Sequence, residues 1–443
     1  MAGLENLDLR LPFVRPRIAV VGAGWSGLAA AIELTGRADV TVFEAGRAPG
    51  GRARRVRSEA LALDNGQHIL LGAYRECLRL MRKVGVDPER ALLRQPLNWW
   101  QPDGMKMRCP RLPAPLHLAA GLLLARGISG AEKCQLARAL GTLSLKGWRI
   151  EGDPTVADWL AQRRQSSGLI ESFWRPLVLS ALNTPVDQAS MHILAAVLRD
   201  SLGAAREASD LMLPRTDLSS LFPDPAWRWL EQQGATLRSG WRVRAIRRDD
   251  SRSGMGGASV SVDGESFDAV IMAVAPYHAP TLLNDESLEN QVKGMTFWPI
   301  YTVYLCFDRA LALPQVMTGS RHGVADWFFD RNALCHEDGL VAAVISAPAP
   351  GSLPSNDALV AQVLADLRKI VPDLPEPMWT RLQVDRRATF AACAGGGRPG
   401  LRAAGEAIYL AGDWVESDYP ATLEGAVRSG VAAARAVMCD LNP

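Results

Sequence analysis

The stretch that decides the fold is Arg17-Ile18-Ala19-Val20-Val21-Gly22-Ala23-Gly24-Trp25-Ser26-Gly27, which passes directly into residues 28–35. Its first five residues have the apolar, β-branched character of a short strand, its glycines mark a turn, and the following residues suit a helix. A strand, a glycine turn and a helix in this order are typical of a dinucleotide-binding fold. The sequence therefore predicts an α/β protein with a parallel sheet.

The glycine turn also predicts a binding site. Gly22 permits the tight turn, Gly24 lets the backbone approach a pyrophosphate, and Gly27 lets the helix pack closely against the strand. The N-terminus of the helix offers free amides and the positive end of its dipole to a phosphate. We therefore assign the following residues to nucleotide binding: Gly22, Ala23, Gly24, Ser26 and Gly27. A vestigial motif that binds nothing is the alternative.

An acidic residue follows the second β-type run at the expected place. Residues 40–43 form this run, and Glu44 ends it about twenty residues after the glycines, where dinucleotide folds hold an acid for ribose hydroxyls. An acid here favours an unphosphorylated ribose. We assign Glu44 and the neighbouring Ala45 to the cofactor site.

A second glycine pair, Gly50-Gly51, is followed by Arg52. This pattern distinguishes flavin-binding chains from ordinary dehydrogenases, because a second turn brings an arginine and backbone amides to the cofactor. It favours FAD over NAD, and we assign Gly51 and Arg52 to the site. The alternative is a solvated basic run, since Arg54, Arg55 and Arg57 follow closely.

The C-terminal region carries a matching arrangement. Residues 407–411 suit a buried strand, Gly412-Asp413 follows it, and a helix is predicted from Pro420 to Met438. The N-terminus of such a helix can stabilise negative charge on a reduced isoalloxazine. We assign these residues to the cofactor site: Gly412, Asp413, Thr422 and Leu423. Taken alone, Asp413 could be a helix cap.

Composition excludes several classes of protein. The chain has 443 residues, 48% of them hydrophobic and 22% charged, which is typical of a globular protein of two or three domains. A formal charge of +2 disfavours a nucleic-acid partner. The seven cysteines are scattered without a Cys-x-x-Cys pair, so we predict neither a disulfide framework nor a metal site. Residues 1–8 lack the features of a secretory signal, and we expect a cytoplasmic protein.

With both nucleotide motifs in place, the chain resembles the FAD-dependent amine oxidase and carotenoid desaturase superfamily. Within it, three segments resemble the hydroxysqualene dehydroxylases: Leu63-Asp64-Asn65-Gly66-Gln67-His68-Ile69-Leu70-Leu71-Gly72-Ala73-Tyr74, residues 173–184 and residues 387–391. The likeness covers nearly the whole chain. Residues 392–399 depart from the family pattern, because they are richer in glycine.

The resemblance implies a discontinuous architecture related to the amine oxidases. A Rossmann-type FAD-binding domain would comprise residues 17–96, 209–294 and 383–440. An inserted α+β substrate domain would comprise residues 97–208 and 295–382.

One stretch of the FAD-binding domain contains several predicted strands. The β-type runs at residues 235–237, 243–247, 258–262 and 269–274 suggest an added sheet that returns to the first domain. Val243 stands where relatives lay their backbone against the adenine, or it is an ordinary core residue.

The resemblance also implies an activity. FAD would carry out the reductive dehydroxylation of hydroxysqualene to squalene, which feeds hopanoid- or sterol-type triterpene synthesis. Gly66 and Gln67 would lie beside the isoalloxazine. His68 is the first candidate for the proton donor and Tyr419 the second, although the former could fix a turn and the latter could be a packing residue. The prenyl-condensing enzymes expected upstream are candidate partners.

Two features of the predicted substrate domain suit a long isoprenoid. Many aromatic residues, including residues 99–100, 173–174 and 327–329, could line a tunnel or pack in the core. The leucine-rich segment around Leu116 to Leu124 lacks acidic residues and could lie in a membrane interface or be a buried helix. We therefore leave open a peripheral attachment to the inner face of the cell membrane.

Three other functions fit parts of the pattern. A carotenoid-type desaturase would use the same cofactor oxidatively, and an amine oxidase would need an aromatic pair facing the flavin. A prenyl carrier of the Rab GDP-dissociation-inhibitor type would keep the fold without flavin, which the complete glycine motifs disfavour. The electron donor, the oligomeric state and a covalent flavin link are left open.

Overall fold

The computed structural model describes residues 15–57, 62–249 and 259–441. Two sequence predictions concern residues outside these ranges: the absence of a secretory signal at residues 1–8, and the β-type residue Ala258.

The strands, in chain order, are β1 (Arg17–Val21), β2 (Asp39–Glu44), β3 (Arg55–Arg57), β4 (Ala62–Asp64), β5 (Leu70–Leu71), β6 (Leu92–Gln95), β7 (Asn98–Trp100), β8 (Lys106–Arg108), β9 (Leu211–Pro214), β10 (Thr236–Ser239), β11 (Ile246–Asp249), β12 (Ser259–Val262), β13 (Glu265–Phe267), β14 (Ala269–Met272), β15 (Phe297–Cys306), β16 (Met317–Gly319), β17 (Trp327–Asp330), β18 (Leu340–Ser346), β19 (Trp379–Phe390) and β20 (Ile408–Leu410). The α-helices are α1 (Trp25–Leu34), α2 (Arg75–Lys83), α3 (Pro88–Ala91), α4 (Leu116–Leu124), α5 (Gly130–Leu145), α6 (Val156–Gln162), α7 (Ser167–Leu169), α8 (Arg175–Leu182), α9 (Met191–Ser201), α10 (Leu218–Leu221), α11 (Pro223–Gln232), α12 (Ala279–Leu283), α13 (Glu286–Lys293), α14 (Arg331–Cys335), α15 (Asn356–Ile370) and α16 (Leu423–Leu441).

A five-stranded parallel sheet with the order β10-β2-β1-β14-β20 forms the centre of the nucleotide-binding part. Its strands come from three separated stretches of the chain. The inner strands β1 and β14 are almost entirely buried, as expected where helices cover both faces of a parallel sheet. Helices α1 and α16 pack against each other, and the backbone of one reaches the other at Gly430. The predicted α/β fold class is confirmed.

The predicted added sheet is only partly right. The strands β11, β12 and β13 do form a separate antiparallel sheet. However, β10 and β14 pair with β2 and β1 in the central parallel sheet. Strand propensity says little about the partner, because the partner depends on packing between distant segments.

A second five-stranded sheet, with the order β16-β17-β18-β15-β19, is antiparallel. One of its faces packs in an apolar cluster with the helix α15. The boundary placed between residues 382 and 383 falls inside the strand β19, which pairs with β15 from Trp379 to Phe390. Because these pairings resume on both sides of an irregularity between Trp298 and Ile300, residues 383–390 belong to this sheet.

Candidate active site

A cavity of about 920 Å³ lies between the two large sheets, at the carboxyl ends of β1, β2 and β14. Ligands bind at this edge of open α/β sheets, since the loops there leave a crevice. The cavity is lined by most of the residues assigned from the sequence: Gly22, Gly24, Ser26, Glu44, Ala45, Gly51, Arg52, Gly66, Gln67, His68, Val243, Gly412, Asp413, Thr422 and Leu423. Ala23, Gly27 and Tyr419 do not line it.

At two of its glycines, the turn has no room for a side chain. Gly22 has a φ of +105°, and a Cβ atom on it would lie 2.5 Å from the carbonyl oxygen of Ala273. A Cβ atom on Gly27 would lie 1.9 Å from the carbonyl oxygen of Gly22. The turn is therefore a bare backbone cradle at the start of α1, and Gly27 supports it from behind.

Glu44 is held in place by the turn that it faces. Its Oε2 atom accepts a hydrogen bond from the amide of Ala23 at 2.8 Å, and its Oε1 atom accepts one from the amide of Gly46 at 2.7 Å. Ala23 therefore does not line the cavity, but its amide positions the carboxylate of Glu44. Nearby, the buried hydroxyl of Ser26 has no partner among the described residues, which leaves it free to bind a ligand oxygen.

An ion pair joins the N-terminal and C-terminal motifs. The Nη2 atom of Arg52 donates to the Oδ2 atom of Asp413 at 2.7 Å, and its Nη1 atom donates to the carbonyl oxygen of Ala388 at 2.7 Å. Although burial acts in the opposite direction, Asp413 raises the pKa of Arg52. The two motifs are thus two walls of one cavity, a pairing that no local pattern indicated.

His68 lies in the cavity wall with a defined tautomer. Its Nδ1–H group donates to the carbonyl oxygen of Gly66 at 2.9 Å, because a carbonyl can only accept. Burial lowers the pKa of His68 below its ordinary value. The neutral form therefore dominates at neutral pH and carries its lone pair on Nε2.

The residues around His68 include two that sequence reasoning did not assign. Asn65 donates from Nδ2 to the carbonyl oxygen of Arg52 at 3.0 Å and to Oδ2 of Asp385 at 3.2 Å. Both Asn65 and Asp385 line the cavity. The position of Asn65 next to Gly66 was a usable signal, whereas Asp385 reaches the site only through the pairing of β19 with β15.

Tyr419 lies outside the cavity wall. Its side chain is buried, and the guanidinium carbon of Arg428 lies 4.2 Å from the centre of its ring. Burial raises the pKa of its hydroxyl far above the ordinary value. We assign Tyr419 no part in proton transfer.

Part of the cavity wall that the antiparallel sheet supplies is apolar. Trp327 and Phe329 line it, since alternate residues of β17 point to the same face, and Phe328 points into the opposite cluster. Within the described ranges, these two residues are the only ones of the aromatic pairs and triplet named above that line the cavity. Other predicted tunnel residues pack in the core, where Trp99 lies 5.3 Å from Phe173 between ring centres.

Comparisons with known proteins show the family to which the chain belongs. The model of the family "Flavin containing amine oxidoreductase" matches residues 25–438. A protein of Rhodopseudomonas palustris named hydroxysqualene dehydroxylase is 31% identical over 95% of this chain and 98% of its own. The chain belongs to the hydroxysqualene dehydroxylase branch of the flavin-containing amine oxidoreductases.

Two proteins of lower sequence identity are also similar to this chain over nearly its whole length. A zeta-carotene desaturase of Synechocystis is 22% identical to this dehydroxylase-family chain over 96% of it and 97% of the relative. The solved structure of cyclohexylamine oxidase from Brevibacterium oxydans IH-35A shares its fold, with a TM-score of 0.67 and 18% identity over 97% of this chain and 100% of the other.

This family member is an FAD-dependent oxidoreductase, and the residues present fit FAD. The bare glycine cradle and the unpartnered hydroxyl of Ser26 suit the pyrophosphate, and the fixed carboxylate of Glu44 suits a ribose. At the other wall, Thr422 caps α16 by accepting from the amide of Gly425 at 3.0 Å. The N-terminus of that helix borders the cavity beside Asp413, where it favours negative charge.

Proposed function

We propose that this protein reduces hydroxysqualene to squalene with FAD, and that the product feeds hopanoid- or sterol-type triterpene synthesis. The observation that carries the proposal is the full-length similarity to a protein named hydroxysqualene dehydroxylase. The apolar part of the cavity, next to the wall formed by residues 65–69, gives an isoprenoid chain a place beside the cofactor.

The proposed reaction divides the work between the cofactor and the protein. Protonation of the substrate hydroxyl lets the C–O bond break with loss of water, which leaves an allylic cation on the substrate. When bound, reduced FAD supplies the hydride that turns this cation into squalene. Trp327 and Phe329 exclude water from the apolar part of the cavity, and their ring faces attract the cation.

His68 is the side chain that we propose to move the proton. Its Nδ1 atom is committed to Gly66, so Nε2 is the atom that would carry the proton to the hydroxyl. Because its pKa is lowered, the imidazolium is a stronger acid than an ordinary histidine and is scarce at neutral pH. The hydrogen bond to the carbonyl oxygen of Gly66 thus fixes both the tautomer and the orientation of the imidazole ring of His68.

The second candidate function is the oxidative removal of hydride from an isoprenoid. The similarity to a zeta-carotene desaturase over nearly the whole chain favours it, but at lower identity than the hydroxysqualene dehydroxylase. The same cavity would serve both directions, and the redox state of the cofactor and the bound substrate would decide between them.

Two anaerobic incubations separate these functions. We expect reduced enzyme to convert hydroxysqualene into squalene, and oxidised enzyme to leave phytoene unchanged. Oxidised enzyme with hydroxysqualene is the matched control, and it should give no squalene. Desaturated products from phytoene, together with no squalene from hydroxysqualene, would establish the second function instead.

We also propose where the protein acts. Within the described ranges, no helix is both long and apolar enough to cross a bilayer. A water-insoluble substrate favours a cytoplasmic protein held peripherally at the inner face of the cell membrane. The prenyl-condensing enzymes that would make the substrate are proposed partners. Pull-down with the tagged chain tests this partnership, and failure to capture either enzyme would remove it.

A further inference from the structure

The β7–β8 hairpin has one buried face and one basic face. Trp99 and Met107 are buried, whereas Trp100, Lys106 and Arg108 alternate with them and point the other way. This alternation follows from the two-residue period of a strand. The outer face of the hairpin therefore carries an aromatic ring beside two cations.

Arg126 extends this basic face. It exchanges both backbone hydrogen bonds with Lys106, at 2.9 and 2.8 Å, so the side chains of the two residues lie on the same side. Trp100, Lys106, Arg108 and Arg126 line a depression of about 590 Å³, and Leu124 completes its edge. The Nζ atom of Lys106 lies 5.4 Å from the centre of the Trp100 ring.

The charge of the depression is not balanced locally. Within the described ranges, Lys106, Arg108 and Arg126 form no ion pair with an acidic side chain. Asp103 also lines the depression, but its carboxylate accepts hydrogen bonds from the amides of Arg321 and His322, at 3.1 to 3.3 Å. Three cations against one committed carboxylate give the depression a net positive charge, which favours an anionic partner.

A stripe of exposed leucines borders the depression. On the helix α4, Leu116, Leu123 and Leu124 are 57%, 74% and 69% exposed. Leu116 and Leu123 are seven residues apart and therefore lie on the same side of the helix, whereas Leu124 is the last residue of the helix and lines the depression itself. The other side is packed, with His117 buried and Gly121 against Cys109. The helix is thus buried on one side and exposed on the other, and its place in a membrane interface stays a prediction.

We propose that the depression and the leucine stripe together bind an anionic phospholipid bilayer, with headgroup phosphates among Lys106, Arg108 and Arg126 and the leucines in the acyl boundary. The inference deepens the proposed function and rests on it, because it names the surface from which an isoprenoid would be drawn. Apolar side chains beside cations and a tryptophan match a bilayer, whose apolar layer lies directly below its phosphates. No acidic residue occurs in residues 113–127 to repel such a surface.

Vesicle flotation tests each half of the surface. We expect the holoenzyme to float with phosphatidylcholine vesicles that contain phosphatidylglycerol, and more weakly with phosphatidylcholine alone. The variant Arg108→Gln/Arg126→Gln should bind anionic vesicles about twenty-fivefold more weakly, at about fivefold per cation, and its binding to neutral vesicles should change little. Leu123→Ser/Leu124→Ser should lose at least about tenfold on both vesicles.

Matched controls lie elsewhere on the surface. Leu145, at 91% exposure on the neighbouring helix α5, provides Leu145→Ser. The exposed Arg138 and Arg228 provide Arg138→Gln/Arg228→Gln. Both controls should float like wild type. Equal flotation of wild type and both test variants, or an anionic preference that survives Arg108→Gln/Arg126→Gln, would overturn the proposal.

A second assay separates this proposal from the proposed reaction. Turnover of hydroxysqualene presented in detergent micelles should be unchanged in all four variants, because none of the altered residues lines the cofactor cavity. If wild type floats as expected but makes no squalene in micelles, the proposed reaction is contradicted, whereas the proposed membrane-binding surface is supported.

Discussion

His68 illustrates how a single residue acquires its role from its surroundings. The carbonyl of Gly66 fixes the tautomer of the ring, and burial in the cavity wall lowers its pKa. A solvent-exposed histidine at the same place in the chain would have neither property. The proposed proton transfer therefore depends on the pH in a way that can be predicted.

If His68⁺ supplies the proton, turnover should fall as the pH rises through the lowered pKa of this histidine. Above that pKa, the protonated fraction drops about tenfold per pH unit, so the rate should do the same. Single-turnover rates of reduced enzyme across acidic and neutral pH measure this limb. In His68→Gln the limb should vanish, and an unchanged profile in this variant would rule out the role.

Arg331 is a buried cation that holds the wall next to the cofactor. Its side chain is completely buried, and its Nη1 atom donates to Oε1 of Gln67 at 3.2 Å and lies 3.4 Å from Oδ2 of Asp64. Its Nε atom donates to Glu337 at 2.7 Å. Even beside Arg331, burial raises the pKa of Asp64 to about 7.

Replacing Arg331 by methionine should cost about 3–5 kcal/mol in the free energy of unfolding, because it leaves the Asp64 and Glu337 carboxylates without their cation. Urea denaturation measures this loss. Arg368→Met is the matched control, since Arg368 pairs with Glu376 at the surface and should cost about 1 kcal/mol or less. If both variants lose the same free energy of unfolding, the buried contacts of Arg331 stabilise the protein no more than a surface ion pair does.

At the scale of elements, the site depends on how closely two helices approach. Both α1 and α16 begin at the cavity, one under the glycine turn and the other beside Asp413. They touch where a Cβ atom on Gly430 would lie 2.0 Å from the carbonyl oxygen of Ser26. This close contact therefore helps to set the positions of both helix N-termini.

Gly430→Ala should push α16 away from α1 and cost about 1–3 kcal/mol in stability, with weaker FAD binding. Gly141→Ala is the control, because Gly141 lies in α5 with nothing within 4 Å of its Cβ position. That change should be neutral or add up to about 1 kcal/mol of stability. Denaturation and flavin titration measure both effects, and tight FAD binding by Gly430→Ala would contradict the argument.

At the scale of the whole molecule, one cavity joins elements from distant parts of the chain. The Arg52–Asp413 pair bridges the first and last motifs, and the strand β17 of the antiparallel sheet supplies the opposite wall. No cut along the chain separates a cofactor part from a substrate part. Occupation of the cavity should therefore stabilise both sheets together.

Adding FAD to flavin-free protein should raise the free energy of unfolding by about 2.7 kcal/mol at a hundredfold excess over its dissociation constant. Because both sheets line the cavity, a single thermal transition should move as a whole. Circular dichroism in the far and near ultraviolet follows it. Two transitions, of which FAD moves only one, would show that the sheets unfold independently.

The sequence by itself determined the local features of this protein. The glycine turn, the acid at the end of β2 and the strand-to-helix unit after Ile408 depend on neighbouring residues, so their patterns predicted them well. The tertiary structure alone decided which distant segments meet. It placed β10 and β14 in the central sheet, carried Asp385 to the cavity along β19 and left Tyr419 outside it. Packing between segments that are distant in the chain set these positions, and no local pattern encodes such pairings.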